Sequence, residues 1–480
     1  MKWEINIDNL NGGFCPAFWT TTYNSYGNKN QASDMQNMDL ICPSFITQGP
    51  GLANLTNGTQ AGAVTTLIKG LLKHAQASDV SFGVGGAKLY KFSSTAVTND
   101  ANFPHTIDKA VVTGEDGEDV AYFQGKIYYS YNHSGNGGDV GQLTLPNTFD
   151  DDYMSTVPTG AAALQGTYPH PLLAAGNDYL YIGNKNYVSS FDGSIFTEKD
   201  LDLPTDAVIQ DLAWATNRIW VATNRPNITG SNKNIASIYV WDGNSPSWDD
   251  EIVVMGRIGA LFVKNGIVFV FYEDITSTGG YKLGYVSGTS IIDVAQFTGS
   301  LPSYYQVTEY KNFILWVSDE EIWAWGSASK DVPAILFQIA DGGYENVGGL
   351  ACPFGTPIVA SYESTSYKLA KFSGYDVNCY WYSLLFDTMA NARRSMIDRI
   401  AFTFETLATG ARVNYTLKNN KGTSLKTGTI SFAVDGAITS KIFYPKCEAE
   451  NFRVELSFAN GSAVNPVSIR QIKVAGHTLS

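Results

Sequence analysis

The sequence predicts an all-β protein: a seven-bladed β-propeller with an extended N-terminal arm and a C-terminal β-sandwich of jelly-roll type. Three observations carry this expectation. Apolar runs of strand length recur in groups of three about every 45 residues, the period of a propeller blade. The third run of most groups ends on an aromatic residue followed by a turn pair, as in Trp241-Asp242-Gly243. After Phe386 the pattern changes to short runs of period two in a basic background.

Composition agrees with a large folded β domain. A hydrophobic content of 44% over 480 residues is ample for a packed core, and 27 Tyr, 25 Phe and 46 Gly suit strands joined by turns. The start MKWEINIDNLNGG lacks a basic stretch followed by an apolar one, so no export signal is expected, and no run reaches the length of a membrane span. Cys15, Cys42, Cys352, Cys379 and Cys447 are odd in number and form no CxxC pair. Buried free thiols are expected, with neither a disulfide framework nor a zinc cluster. The Asn57-Gly58-Thr59 sequon carries little weight without a secretory context.

The boundaries follow from the patterns. Residues 1–59, with Asn11-Gly12-Gly13-Phe14, Phe18-Trp19 and Tyr23, show no sustained periodicity and read as an arm crossing the propeller surface or reaching a neighbour. Residues 60–387 hold seven units. Expected first strands are Val64–Leu72, Lys109–Val112, Leu172–Ala175, Ile209–Ala215, Gly259–Val263, Tyr305–Val307 and Val347–Ala351. Each is followed by a strongly apolar strand and a third strand ending in a turn. Phe92, Phe191, Trp241, Val286, Trp325 and Phe372 close third strands at spacings of 99, 50, 45, 39 and 47, and the first gap spans two periods. Gly and Ala in the first strands suit crowding at a central axis; two stacked β-sandwiches are the alternative. Residues 388–480 form the sandwich, with alternation at Ile400-Phe402-Phe404, Val413-Tyr415-Leu417, Ile430-Phe432-Val434 and Val454-Leu456-Phe458, and turns at Asp435-Gly436 and Asn460-Gly461.

Charge divides along the same boundary. Net charge is -13 in all, but residues 388–480 carry 12 Lys/Arg against 6 Asp/Glu, leaving 20 against 39 in the rest. Each surface reads either as ordinary solubility or, more sharply, as complementarity between copies, the basic end of one facing the acidic body of a neighbour.

Chemical signatures are sparse. The sequence has no phosphate-binding GxxxxGK[ST] loop, HExxH, EF-hand loop or GxSxG elbow. His74, His105, His133, His170 and His477 are scattered, and the acidic runs Glu115–Asp119, Asp150–Asp152, Asp249–Glu251 and Asp319–Glu321 read as solvated loops that offer calcium at most oxygen ligands. A propeller glycosidase is weighed and set aside. Sialidases clamp a carboxylate with three arginines from separate blades, whereas Arg218, Arg225 and Arg257 include two from one unit, and Ser190-Phe191-Asp192-Gly193 lacks the rest of the Asp-box. Trp248, Tyr304-Tyr305 and Tyr380-Trp381-Tyr382 are the residues that could stack on sugar rings. No catalytic, cofactor or metal residue is assigned, no cofactor is expected, and the binding residues stay unknown.

The Asn11-Gly12-Gly13 start, the Gly49-Pro50-Gly51-Leu52 segment, the aromatic-Asp-Gly ends and the Ile400-Ala401-Phe402 to Ile472-Lys473-Val474 pattern together resemble virion structural proteins of tailed bacteriophages. The resemblance implies a non-enzymatic tail or nozzle subunit, located in the virion after assembly in the host cytoplasm. Its implied partners are copies of itself in a ring and other tail proteins. DNA would pass transiently and without sequence preference during ejection. A glycan- or receptor-binding tail propeller is the alternative, with a host-surface glycan as partner, and a glycosidase-type enzyme follows behind it.

Overall fold

Each apolar run pairs with the next through a tight turn, so the chain folds into consecutive antiparallel meanders. The computed structural model describes residues 2–8, 32–36, 38–39, 46–55, 64–73, 75–76, 79–109, 114–133, 135, 137–225, 235–274, 280–327, 334–341, 345–363, 366–376, 379–387, 394–458 and 466–479. Among the described residues, helix is confined to Tyr153–Thr156, Phe432–Asp435 and the 3-10 turn Tyr304–Gln306. Cys15, Cys42, His74, the Asn11–Gly13 start, the Asn57 sequon and the Asn460-Gly461 turn lie outside the described residues.

Among the described residues, seven four-stranded sheets follow one another, in the manner of a β-propeller. Their innermost strands are Gly70–Leu71, Glu115–Phe123, Leu172–Ala174, Val208–Ala215, Gly256–Lys264, Val307–Tyr310 and Asn346–Ala351. Each touches the next, and the seventh touches the first. Apolar clusters fill the spaces between sheets; Tyr181, Val188, Ile209, Val221 and Trp241 join the third to the fourth. Burial of such aromatics on strand faces is the main stabilising contribution.

The seventh sheet takes its outermost strand from the other end of the chain. Leu52–Asn54 pairs with Ser366–Phe372, Leu52 opposite Phe372 and Asn54 opposite Ala370. The N–H groups of Ser373 and Leu55 donate to the carbonyls of Gly51 and Leu369 at 2.8 Å each.

Met38–Asp39 and Thr47–Gln48 pair with each other, and two larger sheets hold the remaining described strands. One orders Lys2–Asp8, Ile469–Thr478, Ser395–Phe404 and Ser440–Phe443, with Cys447–Ala449 also on Ser395–Phe404. The other orders Ala32–Gln36, Cys379–Ser383, Asn451–Phe458, Arg412–Lys418 and Ser424–Ser431, with Phe386–Asp387 also on Asn451–Phe458. Their apolar faces meet in one core, where Phe402 and Tyr415 lie 5.3 Å apart and Tyr415 and Phe443 lie 4.7 Å apart. That core continues into Phe313, Leu315, Phe337 and Ile339 of the sixth four-stranded sheet.

Several expectations change here. The stretch 1–59, expected as an arm, supplies two strands to the larger sheets and one to the seventh sheet, because Ile7, Ala32 and Met35 each have an apolar pocket to fill. The strand expected at Val64–Leu72 is only Gly70–Leu71. The second unit begins at Glu115, and Lys109 lies before it in a bend. Its acidic run is a strand because Glu115 and Glu118 are buried with partners of their own. Asp250–Val254 is likewise an outer strand. Cys379–Ser383, placed in the propeller by sequence, already belongs to a larger sheet. The Ile430-Phe432-Val434 alternation breaks at Ser431, after which Phe432–Asp435 forms one helical turn closed by Gly436 at φ 69.

Candidate functional site

The inner strands are irregular at matching places. Register shifts fall between Gly117 and Asp119, Ile209 and Asp211, Ile258 and Ala260, and Val347 and Leu350. A bulge places two successive residues against one partner and re-aims both side chains. Here the skipped residues are Glu118, Gln210, Gly259 and the Gly348-Gly349 pair. Where a neighbour's backbone comes close, only glycine fits: a Cβ on Gly259 would lie 2.1 Å from the Pro302 carbonyl oxygen.

Two cavities follow one another along these strands, of about 460 and 360 Å³. Glu118 and Gln210 line the larger one; their successors Asp119 and Asp211 line the smaller. Tyr304 and Tyr305 border both. Tyr304 is buried, its hydroxyl donates to the Glu118 carbonyl oxygen at 3.2 Å, and its ring meets Tyr305 edge-on at 5.2 Å. The 3-10 turn carrying both tyrosines is held by a capping box between Ser303 and Gln306, and Gln306 Nε2 donates to the Val347 carbonyl at 2.9 Å. Tyr304 thus stands as a stopper between the cavities.

In the smaller cavity two carboxyl groups repeat one arrangement. Asp119 accepts the N–H of Val120 at 2.8 Å and of Leu172 at 2.9 Å; Asp211 accepts those of Leu212 and Leu261, both at 2.7 Å. Each therefore fastens its inner strand to the next sheet. Burial pushes Asp119 up to about 6 and Asp211 up to about 7, against the pull of Lys73 and the backbone N–H groups.

The larger cavity is lined by groups of opposite charge already joined in pairs. Arg257 donates from Nε and Nη2 to the two Glu273 oxygens at 2.8 and 2.7 Å. Lys69 donates to Asp116 at 2.7 Å and Glu118 at 2.9 Å. Burial pulls the Lys69 ammonium down, but the two carboxylates outweigh it and hold the group above the usual lysine range. Asn224 exchanges hydrogen bonds with the Ile258 backbone at 2.9 and 2.8 Å.

The residues singled out from sequence do not converge. Arg218 pairs with Asp249 at 3.3 Å and Arg225 with the Tyr239 hydroxyl at 2.7 Å, each within its own sheet. His105 pairs with Asp151 at 3.0 Å and stacks on Phe149, His477 pairs with Asp398 at 2.7 Å, and buried His170 donates from Nδ1 to the Gly183 carbonyl at 2.8 Å. Buried His133 lies 4.0 Å from Glu115. Asp319 sits at a hairpin turn with φ 52, and its carboxylate takes the Ser300 hydroxyl. Among the described residues no group of three or more His, Cys, Asp and Glu is placed to hold a metal ion.

Of the aromatic candidates, Trp381 is fully buried in a larger sheet while Tyr380 and Tyr382 stack on each other at 4.8 Å. Trp248 packs edge-on against Tyr239 at 4.9 Å. Tyr305 borders both cavities while remaining partly exposed. Cys352, Cys379 and Cys447 are free, and burial raises the first two to about 12, far from a reactive thiolate. No described helix is long and apolar enough to cross a membrane.

No protein-family model and no curated protein matches the chain. Among solved structures it is similar to an exo-β-1,3-galactanase from Phanerochaete chrysosporium with galactose, at 9% identity and TM-score 0.31 over 67% of this chain and 98% of that one. The apo-form soluble aldose sugar dehydrogenase from Escherichia coli matches at 12% and 0.38 over 67% and 99%. A chain of a mitotic checkpoint complex matches at 13% and 0.46 over 69% and 95%. None of these likenesses carries a functional inference.

Proposed function

We propose that the chain is a structural subunit of a tailed-phage particle, a tail or nozzle ring component. In this reading the seven four-stranded sheets are the blades of a closed propeller and the two larger sheets a β-sandwich. One observation carries it: two regions of opposite charge share one hydrophobic core. The last 93 residues hold 12 cations against 6 anions, the others 20 against 39, and the core runs unbroken between their sheets. A unit with unlike ends associates head to tail, and such contacts close into a ring when the rotation allows. The acidic body of such a ring repels phosphates, so a duplex slides through without sticking. Neighbouring tail proteins complete the conduit.

The test is sedimentation of the purified chain at about 50 mM and about 500 mM salt, with electron microscopy of the low-salt species. A closed oligomer that loosens as salt rises supports the reading. A monomer at micromolar concentration in both, with no partner in particles from its source, sinks it.

A further inference from the structure

The larger axial cavity has a lining that the structural role does not use. It is walled on one side by the segment carrying Tyr305, pressed against the Gly259 backbone, and on the others by Lys69-Glu118 and Arg257-Glu273. These four charged side chains sum to zero. Each cation is already satisfied by a carboxylate at 2.7–2.9 Å, so an anion entering the cavity meets two carboxylates as well as two cations. A cation meets the same obstacle in reverse. What suits the lining is a neutral molecule with both donors and acceptors. Arg257 uses two of a guanidinium's five N–H groups on Glu273, and the carboxylate oxygens keep further lone pairs. Gln210 and Asn224 add amides to the same wall.

We propose that this cavity binds a neutral saccharide of one or two rings, with a pyranose face against Tyr305 and vicinal hydroxyls shared between the Arg257-Glu273 and Lys69-Glu118 pairs. A pyranose combines a weakly polar C–H face for an aromatic ring with hydroxyls that donate and accept at once. The volume of about 460 Å³ lies within the range of small-molecule sites, and Tyr304 is part of the wall it shares with the smaller cavity. Sugar binding here does not rest on the structural role proposed above, and the experiment reads it on the chain in whatever oligomeric state it adopts.

The experiment titrates the full chain with glucose, galactose, mannose, N-acetylglucosamine and their disaccharides, read by saturation-transfer NMR and calorimetry, with inorganic phosphate as the anion arm. At least one sugar is expected to saturate a single site. Tyr305→Ala and Arg257→Ala should each weaken it by about tenfold or more, while Tyr122→Ala, beside the other cavity, leaves it unchanged. Far-ultraviolet circular dichroism and a urea midpoint for each variant separate lost binding from lost folding. The proposal is overturned if no sugar in the panel saturates, if binding survives both Tyr305→Ala and Arg257→Ala, or if phosphate displaces the sugar from the site.

Discussion

The carboxylate of Asp211 accepts the backbone N–H of Leu261 at 2.7 Å across 50 residues of sequence, joining the inner strands of the fourth and fifth sheets. Its other oxygen takes the N–H of Leu212. Asp211→Ala strands two buried donors and is expected to cost about 2 kcal/mol or more, with Asp119→Ala close behind. Urea unfolding measures it. A shift within error of zero would mean that the blades are joined by packing alone.

The same aspartates set a pH dependence. Asp211 titrates at about 7 and Asp119 at about 6 in the fold, against 3.8 in the open chain, so the folded state holds these protons more tightly. Their contribution to stability is complete below pH 3.8 and is lost as pH rises to about 7. Buried His170 runs the other way. Its value falls from 6.5 to about 4, giving stability that is present above pH 6.5 and lost on acidification. Asp211→Asn should therefore lose less stability between pH 4.5 and 7 than the parent chain, in which the two aspartates outweigh His170. Parallel urea profiles across that window would rule this account out.

The N-terminal strands are open to a direct check. Ile7 is fully buried in the core shared by the larger sheets. Ile7→Ala is expected to cost about 2–4 kcal/mol, as for a core position; a surface-bound arm would lose almost nothing. Thermal or chemical denaturation distinguishes the two.

At the turn after the third strand of the fourth sheet, Asp242 accepts the N–H groups of Asn244 and Ser245 at 2.8 Å each. Ser93 does the same for Thr95 and Ala96 at 3.2 and 3.1 Å in the first sheet. Asp242→Ser should thus be tolerated to within about 0.5 kcal/mol, while Asp242→Ala costs about 1 kcal/mol. Gly243→Ala should cost more than either, because φ is 79 and a Cβ would meet the Tyr181 hydroxyl at 2.8 Å. Melting temperatures of the three variants give the order.

Sequence alone made the meanders legible because their signals are local: alternation, Gly turns and the residue after each third strand. The outer strands were not. Phe196–Asp202 and Ser290–Thr298 alternate weakly and lean on the preceding strand for partners, and Leu52–Asn54 lies some 300 residues from the strand it pairs with. The cavity went unread for a similar reason. Its wall is assembled from bulges, and Glu118-Asp119-Val120-Ala121 and Gln210-Asp211-Leu212-Ala213 repeat a polar pair inside otherwise apolar inner strands. Taken alone, the first looked like the end of an acidic loop. Set beside the second, it is the better marker of the axis than the aromatic-Asp-Gly turns, which serve the corners.

Leu52–Asn54 and Lys2–Asp8 pair with Ser366–Phe372 and Ile469–Thr478, strands that lie far later in the sequence. Six four-stranded sheets close from strands consecutive in sequence, whereas the seventh and both larger sheets each join a strand from the first 54 residues to strands beyond residue 365. Those three sheets close only by long-range pairing, and a product that stops before Ser366 leaves all three incomplete. Closing these sheets ties two distant stretches of the chain into one unit, so neither completes its sheets without the other.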